Sequence, residues 1–430
     1  MNSGAAEWPI RSFAEVADYG VGRTPARANP AFWTQGGEGK PWVTISDMPA
    51  YGVVTATKES ISVEALGRVF GGELVPAGTL IMSFKLTIGR VATLGIPTVH
   101  NEAIISIFPK PGIDQRFLGY YLSQVDYTQF QDRQIKGNTL NKSKIDRIPV
   151  PVPTLDEQAA IADVLDAVRV AMAEQRHAIT VTDELRREVM ADVFARGLRG
   201  RAQKESQIGP VPAEWDVVPL GALGRIGNGS TPKRSVPAYW TNGDFPWLTS
   251  AKVYDREIVS ANELVTDTAL RECHLPIVAP GAVLIAITGQ GKTLGHCAVL
   301  GIEATVNQHI AYIQTDLDKA VPRFIRNYLD TQYDRLRQVA AGGGSTKGAL
   351  TCAFLRSMPV PLPGIEEQRE IVDLIDAVDA KLALHRRQFD GLKELFDSLL
   401  HQLMSGELRV GVLDPSSLRE RQAEPEEVFA

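Results

Sequence analysis

Apolar residues recur at helical spacing through two long stretches that hold no proline and almost no glycine. In the first, about Leu155–Arg196, they fall at Ile161, Val164/Leu165, Val168, Ala171/Met172, Ile179, Leu185, Val189 and Val193. In the second, about Ile365–Met404 and interrupted only by Gly391, they fall at Ile371, Leu374/Ile375, Val378, Leu382, Phe389, Leu392, Leu395/Phe396, Leu399 and Leu403. The spacing is close to a heptad seam. It predicts two helices of roughly 40 residues, each about 60 Å long. Asp156-Glu157 and Glu366-Glu367 set acid in the first turns, where the helix dipole favours it. Gln175 and His385 put a polar residue at matching places in the two seams. Duplicated helices of this kind fit an antiparallel pair better than two surface helices, each lying on its own module.

The remaining chain reads differently. Trp42–Ile45, Thr79–Phe84, Trp247–Leu248, Ala282–Ile287 and Leu294–Leu300 are short Val/Ile/Leu-rich runs bounded by Gly or Pro, which predicts buried strands. Amphipathic helices are predicted over Arg116–Asp132 and Pro322–Val339. These elements occur twice in the same order, about 207 residues apart. Ala6-Glu7-Trp8 pairs with Ala213-Glu214-Trp215, Arg23-Thr24-Pro25 with Ser230-Thr231-Pro232, and Ala31-Phe32-Trp33-Thr34 with Ala238-Tyr239-Trp240-Thr241. Pro41-Trp42-Val43-Thr44 pairs with Pro246-Trp247-Leu248-Thr249, Asn101-Glu102 with Asn307-Gln308, and Phe117–Leu122 with Phe324–Leu329. Each copy closes on the same phrase, IPVPVPTLDEQAAIADVLDAV at 148–168 and MPVPLPGIEEQREIVDLIDAV at 358–378. A unit this long is a tandem duplication of whole modules, not a solenoid repeat. Two related modules suit an object with two related halves, and DNA is such an object.

Charge sharpens the division. The net charge of −6 and pI near 5.8 count against a simple basic DNA binder. Residues 1–154 carry 15 basic and 13 acidic groups, and 206–363 carry 14 and 13. The acidity sits in 155–205, with 8 basic and 10 acidic groups, and beyond 364, with 8 and 15. A nearly neutral reader needs partner subunits to supply phosphate contacts. No apolar run approaches a membrane span, and no secretion signal opens the chain. Cys273, Cys297 and Cys352, without CxxC spacing, point to reduced thiols in a cytoplasm.

The alternation of two modules with two long helices, each entered through Pro149-Val150-Pro151-Val152-Pro153…Glu157-Gln158 or Pro359-Val360-Pro361-Leu362-Pro363…Glu367-Gln368, resembles the specificity (S) subunit of Type I restriction-modification systems. The resemblance covers nearly the whole chain. It implies an α/β (α+β) architecture of two target-recognition domains, 1–154 and 206–363. Between and after them stand conserved spacer helices, 155–205 and 364–409, forming an antiparallel coiled coil. Composition, not the resemblance, predicts a disordered tail at 410–430, which is acidic and bears Pro and Ser. Each domain would read one half of a bipartite double-stranded DNA site, and the helices would set the half-site spacing and dock two modification subunits. S-adenosylmethionine, ATP and magnesium would belong to those subunits and to the restriction subunits. This chain would carry no cofactor and no catalytic residue.

Base readout needs Arg/Lys and Asn/Gln at base edges, with basic and hydroxyl groups on phosphates. In the first module these are assigned to Arg23, Arg27, Lys85, Arg90, Lys136, Asn138 and Lys142. In the second they are assigned to Lys233, Arg234, Lys252, Lys292, Ser345, Thr346 and Lys347. The two glycine-bearing loops just before the helices, Lys136-Gly137-Asn138 and Gly342–Lys347, are the strongest candidates. Trp33, Trp42, Trp240 and Trp247 recur in register, as core residues do.

Three patterns point elsewhere and are rejected. Ala286–Thr293 nearly spells a phosphate-binding loop, but its first glycine is alanine, the following residues read as strand, and the repeat partner Phe84–Gly89 lacks the motif. Asn29-Pro30-Ala31-Phe32 resembles a methyltransferase tetrapeptide, yet its partner Val236-Pro237-Ala238-Tyr239 marks a shared turn. Cys273-His274, His296-Cys297 and His309 fit no zinc spacing. The alternatives to a recognition subunit are a stand-alone nucleotide- or S-adenosylmethionine-using enzyme and a duplicated protein-interaction scaffold.

Overall fold

The computed structural model describes residues 8–34, 38–49, 52–130, 140–200, 202–289, 292–342 and 349–410. The chain divides into two compact units, Met1–Gln175 with Gln388–Ala430, and Arg176–Arg387. Each long helix gives one half to either unit.

In the first unit a five-stranded sheet runs Ala17–Val21, Ile104–Pro109, Leu80–Ser83, Val91–Leu94, Gly52–Val54. It is antiparallel except for the last pair. A smaller sheet runs Trp33–Thr34, Glu59–Ile61, Lys40–Val43, Val99–His100. The second unit repeats the larger sheet as Gly224–Asn228, Ile310–Thr315, Val283–Ala286, Cys297–Leu300, Glu257–Ile258, and the smaller as Glu263–Val265, Phe245–Leu248, Thr305–Val306. The central strands are buried on both faces, which is why they read as continuous apolar runs.

Sequence boundaries shift where a side chain captures the backbone. The Trp42–Ile45 strand is Lys40–Val43, because Asp47 accepts from the Thr44 amide (2.8 Å) and hydroxyl (2.7 Å) and turns the chain into a short 3-10 segment. The Arg116–Asp132 helix is Gln115–Gln124. Its start is capped by Asp114 and its sequel broken by an Asx turn at Asp126. Pro322–Val339 is two helices, Pro322–Thr331 and Tyr333–Gly342. Only Cys297–Leu300 of the predicted Leu294–Leu300 strand forms, since Leu294 and Gly295 lie in the preceding turn.

The long helices span Leu155–Arg196 and Ile365–Ser405. In the first unit Ile161, Val164 and Leu165 pack with Phe396, Leu400 and Leu403, and with Phe117 and Tyr120 of the Gln115–Gln124 helix. In the second unit Ile371, Val372 and Ile375 pack with Met190, Val193 and Phe194, and with Phe324 and Tyr328. In each unit the start of one helix therefore meets the end of the other, and the short helix is held between sheet and helix pair. One seam expectation fails: Leu185 is 47% exposed and Thr182 is buried in its place. Residues 411–430, most of the expected tail, lie outside the described residues.

The recurrent Glu-Gln phrase has a direct structural meaning. Gln158 is fully buried; its carbonyl accepts from the Asp114 amide (2.8 Å), and its amide donates to the carbonyls of Gly112 (3.0 Å) and Pro153 (2.9 Å). Gln368 does the same with Val321 (2.8 Å), Lys319 (3.2 Å) and Pro363 (2.9 Å). Glu157 accepts from the Trp8 indole and Glu367 from that of Trp215, both at 3.2 Å. The Pro-x-Pro segments are strands as well. Pro149–Pro151 pairs with Ile10–Ser12, and Pro359–Leu362 with Asp216–Pro219. Two-stranded ribbons tolerate proline because half of their amides are not needed for the ladder.

One strand residue differs between the copies in a testable way. His100, paired with Val43, occupies the place that Val306, paired with Leu248, holds in the second unit. Burial pushes the His100 imidazole down to about 4. Its folded pKa is below the unfolded value of about 6.5, so the contribution is intact above pH 6.5 and is lost as pH falls toward 4. Acidification across that window is expected to remove about 3 kcal/mol from the first unit. Denaturant melts of His100→Val should show a flatter pH profile than the parent; an equal slope would rule this origin out.

Candidate nucleic-acid interface

Five loop segments of the first module are tied into one face by backbone hydrogen bonds. Gly22 donates to Ile104 (3.1 Å), Arg23 to His100 (2.9 Å), Asn101 to Val43 (3.0 Å), Phe84 to Ala103 (2.9 Å) and Leu140 to Phe84 (3.1 Å). The second module reproduces three of these ties: Asn307 donates to Leu248 (3.0 Å), Ile287 to His309 (2.9 Å) and Leu350 to Ile287 (2.7 Å). Gly22 and Gly229 are required by close packing here. A Cβ on Gly22 would stand 2.2 Å from the His100 and Asn101 carbonyls, and one on Gly229 1.6 Å from that of Val306.

Side chains differ where the backbone agrees. Asn101 and Asn307 both bond the amide two residues on, at 3.1 and 3.0 Å. The next residue is Glu102 in one copy and Gln308 in the other, bonded to Thr24 and Thr231 respectively. An acceptor-only carboxylate and a donor-acceptor amide thus occupy the same place. These four residues were absent from the sequence assignment, although the pairing of Asn101-Glu102 with Asn307-Gln308 contained the signal: an unchanged anchor followed by a changed neighbour.

The assigned residues divide by environment. Arg23 is exposed, with its guanidinium on the Val69 carbonyl (2.6 Å). Arg90 is half-buried and donates to the carbonyls of Ile45 and Met48, both at 3.2 Å, so it braces the loop face. Lys85 lies 5.2 Å from the Phe84 ring. Lys142 opens the short helix Lys142–Asp146 and is exposed. In the second module Lys233 and Lys292 are exposed, and Tyr333 holds the Lys292 carbonyl at 2.6 Å. Lys252 is only 14% exposed and paired to Asp255 at 2.5 Å. Lys136, Asn138, Ser345, Thr346 and Lys347 lie outside the described residues.

Arg27 and Arg234 form a repeated structure of their own. Arg27 lies over Trp33 (3.9 Å) and Trp42 (4.8 Å) and is ion-paired to Glu59. Arg234 lies over Trp240 (3.9 Å) and Trp247 (4.9 Å) and is ion-paired to Glu263. Hydrogen bonds from Arg27 hold the Glu59 carboxyl below its usual pKa. Trp42 and Trp247 are buried, and Trp33 and Trp240 pack edge-on against them at 5.0 and 5.2 Å. Two of the rejected patterns have a local structural context. Asn29 caps the 3-10 segment Pro30–Phe32, matched by Pro237–Tyr239. The strand Val283–Ala286 runs on toward another strand, Cys297–Leu300, and no helix intervenes among the described residues. Among the described residues, no group of His, Cys, Asp or Glu is placed to hold a metal ion, and no helix is long and apolar enough to cross a membrane.

Comparison with known proteins agrees with this duplicated architecture. The family model described as the Type I restriction modification DNA specificity domain matches residues 6–179 and again 212–394, and the chain belongs to that family. It is 21% identical over 326 residues to the type I restriction enzyme MjaVIII specificity subunit of Methanocaldococcus jannaschii, covering 74% of this chain and 76% of the relative. It is 19% identical over 299 residues to the EcoR124I/EcoR124II specificity subunit of Escherichia coli, covering 66% and 70%. In fold it is similar to the S subunit of a type I restriction-modification system from M. genitalium, with a TM-score of 0.56, 14% identity, and coverage of 94% of this chain and 98% of that one. The chain is therefore a DNA-recognition component with two target-recognition modules, not a catalytic one.

Proposed function

We propose that the two loop faces each read one half of a split double-stranded DNA target. The observation that carries this reading is the duplicated backbone frame with unlike side chains. The same backbone hydrogen bonds at Asn101 and Phe84, and at Asn307 and Ile287, are followed by Glu102 and Lys85 in one copy and by Gln308 and Thr288 in the other. Equal frames with different donors and acceptors suit two readers of different sequences. Residues 1–154 and 206–363 are the recognition domains in this reading. Residues 155–205 and 364–409 carry the helices, Leu155–Arg196 and Ile365–Ser405, that set the gap and dock two modification subunits, with restriction subunits completing the complex. S-adenosylmethionine, ATP and magnesium act on those partners. Lys142, Lys233 and Lys292, exposed beside the frames, serve phosphates.

Methylation mapping in cells expressing this chain with its neighbouring methyltransferase tests the reading. Two short half-sites around a fixed gap are expected. A continuous motif would mean that the modules do not read separate halves.

A further inference from the structure

Leu86 stands at the tip of the loop between Leu80–Ser83 and Val91–Leu94, with φ +64 and 73% of its surface exposed. A bulky apolar residue in the left-handed region is disfavoured, and so little of this side chain is buried that packing hardly offsets the strain. The second module shows the easier solution. Phe84 and Ile287 are equivalent by their hydrogen bonds, and two residues beyond Ile287 the chain places Gly289, also at positive φ and with open space around it.

The loop under Leu86 is firmly built. Phe84 is buried and bonded on both sides, to Ala103 and Leu140. The Ser83 hydroxyl donates to the Thr87 carbonyl, and the Gly89 amide donates to Ser83 (2.9 Å). Gly89, at φ +83, lies against Tyr127, whose ring would stand 2.4 Å from any Cβ there. Lys85 precedes the tip, and the bond from Leu140 brings the approach to Lys142 alongside. An isobutyl group is thus held out from a rigid base, next to Lys85 in the chain and on a loop whose Phe84 is bonded to the Asn101–Ala103 segment.

We propose that Leu86 reads the first half-site by apolar contact with the C5-methyl group of a thymine in the major groove. The proposal rests on the DNA-reading role of this face. An isobutyl group can bond neither a phosphate nor a polar base edge, and the thymine methyl is the apolar feature that the major groove presents. Strain retained at an exposed position, where the sister module has glycine, is the mark of a side chain kept for contact.

The test uses the full chain assembled with its modification subunits, on duplexes carrying the mapped target. Each thymine of the first half-site is replaced in turn by uracil, which removes only the methyl. One replacement is expected to weaken binding by the parent about fourfold, the worth of burying one such group, and to leave Leu86→Ala unaffected. Leu86→Gly is expected to lose the same discrimination while melting no lower than the parent. A first half-site without thymine, or a uracil penalty equal in parent and variants, overturns the proposal and leaves the DNA reading intact. A lower melting temperature for Leu86→Gly would make Leu86 a packing residue and overturn it too. Failure to retain any duplex would sink both.

Discussion

Gln158→Leu is expected to lower the stability of the first unit by about 3–9 kcal/mol, and Gln368→Leu that of the second by a similar amount. The shorter apolar side chain leaves the Asp114 amide and the Gly112 and Pro153 carbonyls without the partner they have in the parent. Each buried group left unsatisfied costs about 1–3 kcal/mol. At about 2–4 °C per kcal/mol for units of this size, the melting temperature should fall by roughly 6 °C or more. Gln158→Glu should fare no better, since its carboxylate would face two carbonyl oxygens where the amide now donates. Calorimetry separates the outcomes, because each variant should shift one transition and spare the other. A loss below about 1 kcal/mol would show that the glutamine does not pin module to helix.

That pin was visible in the sequence before its purpose was. The duplicated Pro-x-Pro…Glu-Gln phrase was the most specific signal in the chain, and it marks the place where backbone amides and carbonyls of the module are satisfied by a helix side chain. Long periodic elements were legible for a simpler reason: an uninterrupted apolar pattern over some 40 residues leaves few alternatives to helix. Leu155–Arg196 matched to the residue. The shorter elements were less legible because single side chains end them. Asp47 and Asp126 act through bonds to neighbouring backbone, and propensity alone does not show which acidic residue will do so.

Charged residues at the helix–module junction were passed over altogether. In the second unit Arg186 and Arg256 both pair with Asp379, at 2.6 and 2.9 Å, and Arg326 is buried where the first module has Gly119. In the first unit the junction is made by Arg116 with Asp163 and Asp166, and by the Tyr120 hydroxyl on Asp166 at 2.5 Å. The Arg116 pairing is repeated in the second unit by Arg323 with Asp376 at 2.7 Å. Charges on an amphipathic helix read as a solvated face, and only the tertiary fold shows which are covered. Arg27 and Arg234 are the converse case. They looked available for base contacts, but each lies on a tryptophan pair and is bonded to a glutamate, so any role at DNA must be reached from that braced position.

Removing seven residues from each long helix at matching seam positions is expected to shorten the gap between half-sites and leave the bases read unchanged. The loop faces belong to the modules, so their donors and acceptors are untouched. Seven residues are about 10 Å of helix, or about three base pairs at 3.4 Å each, which sets the upper bound. Rotation works against the full shift. Three base pairs turn the duplex by about 100°, while a heptad turns the seam by only about 20°, so part of the change must be absorbed in DNA twist. A gap shortened by about one to three base pairs is therefore the expected result of methylation mapping. Removing the seven residues from one helix alone breaks the seam and should instead cost stability. Altered half-site bases would mean that the helices take part in readout. An unaltered gap would mean that the distance is set by something other than these helices.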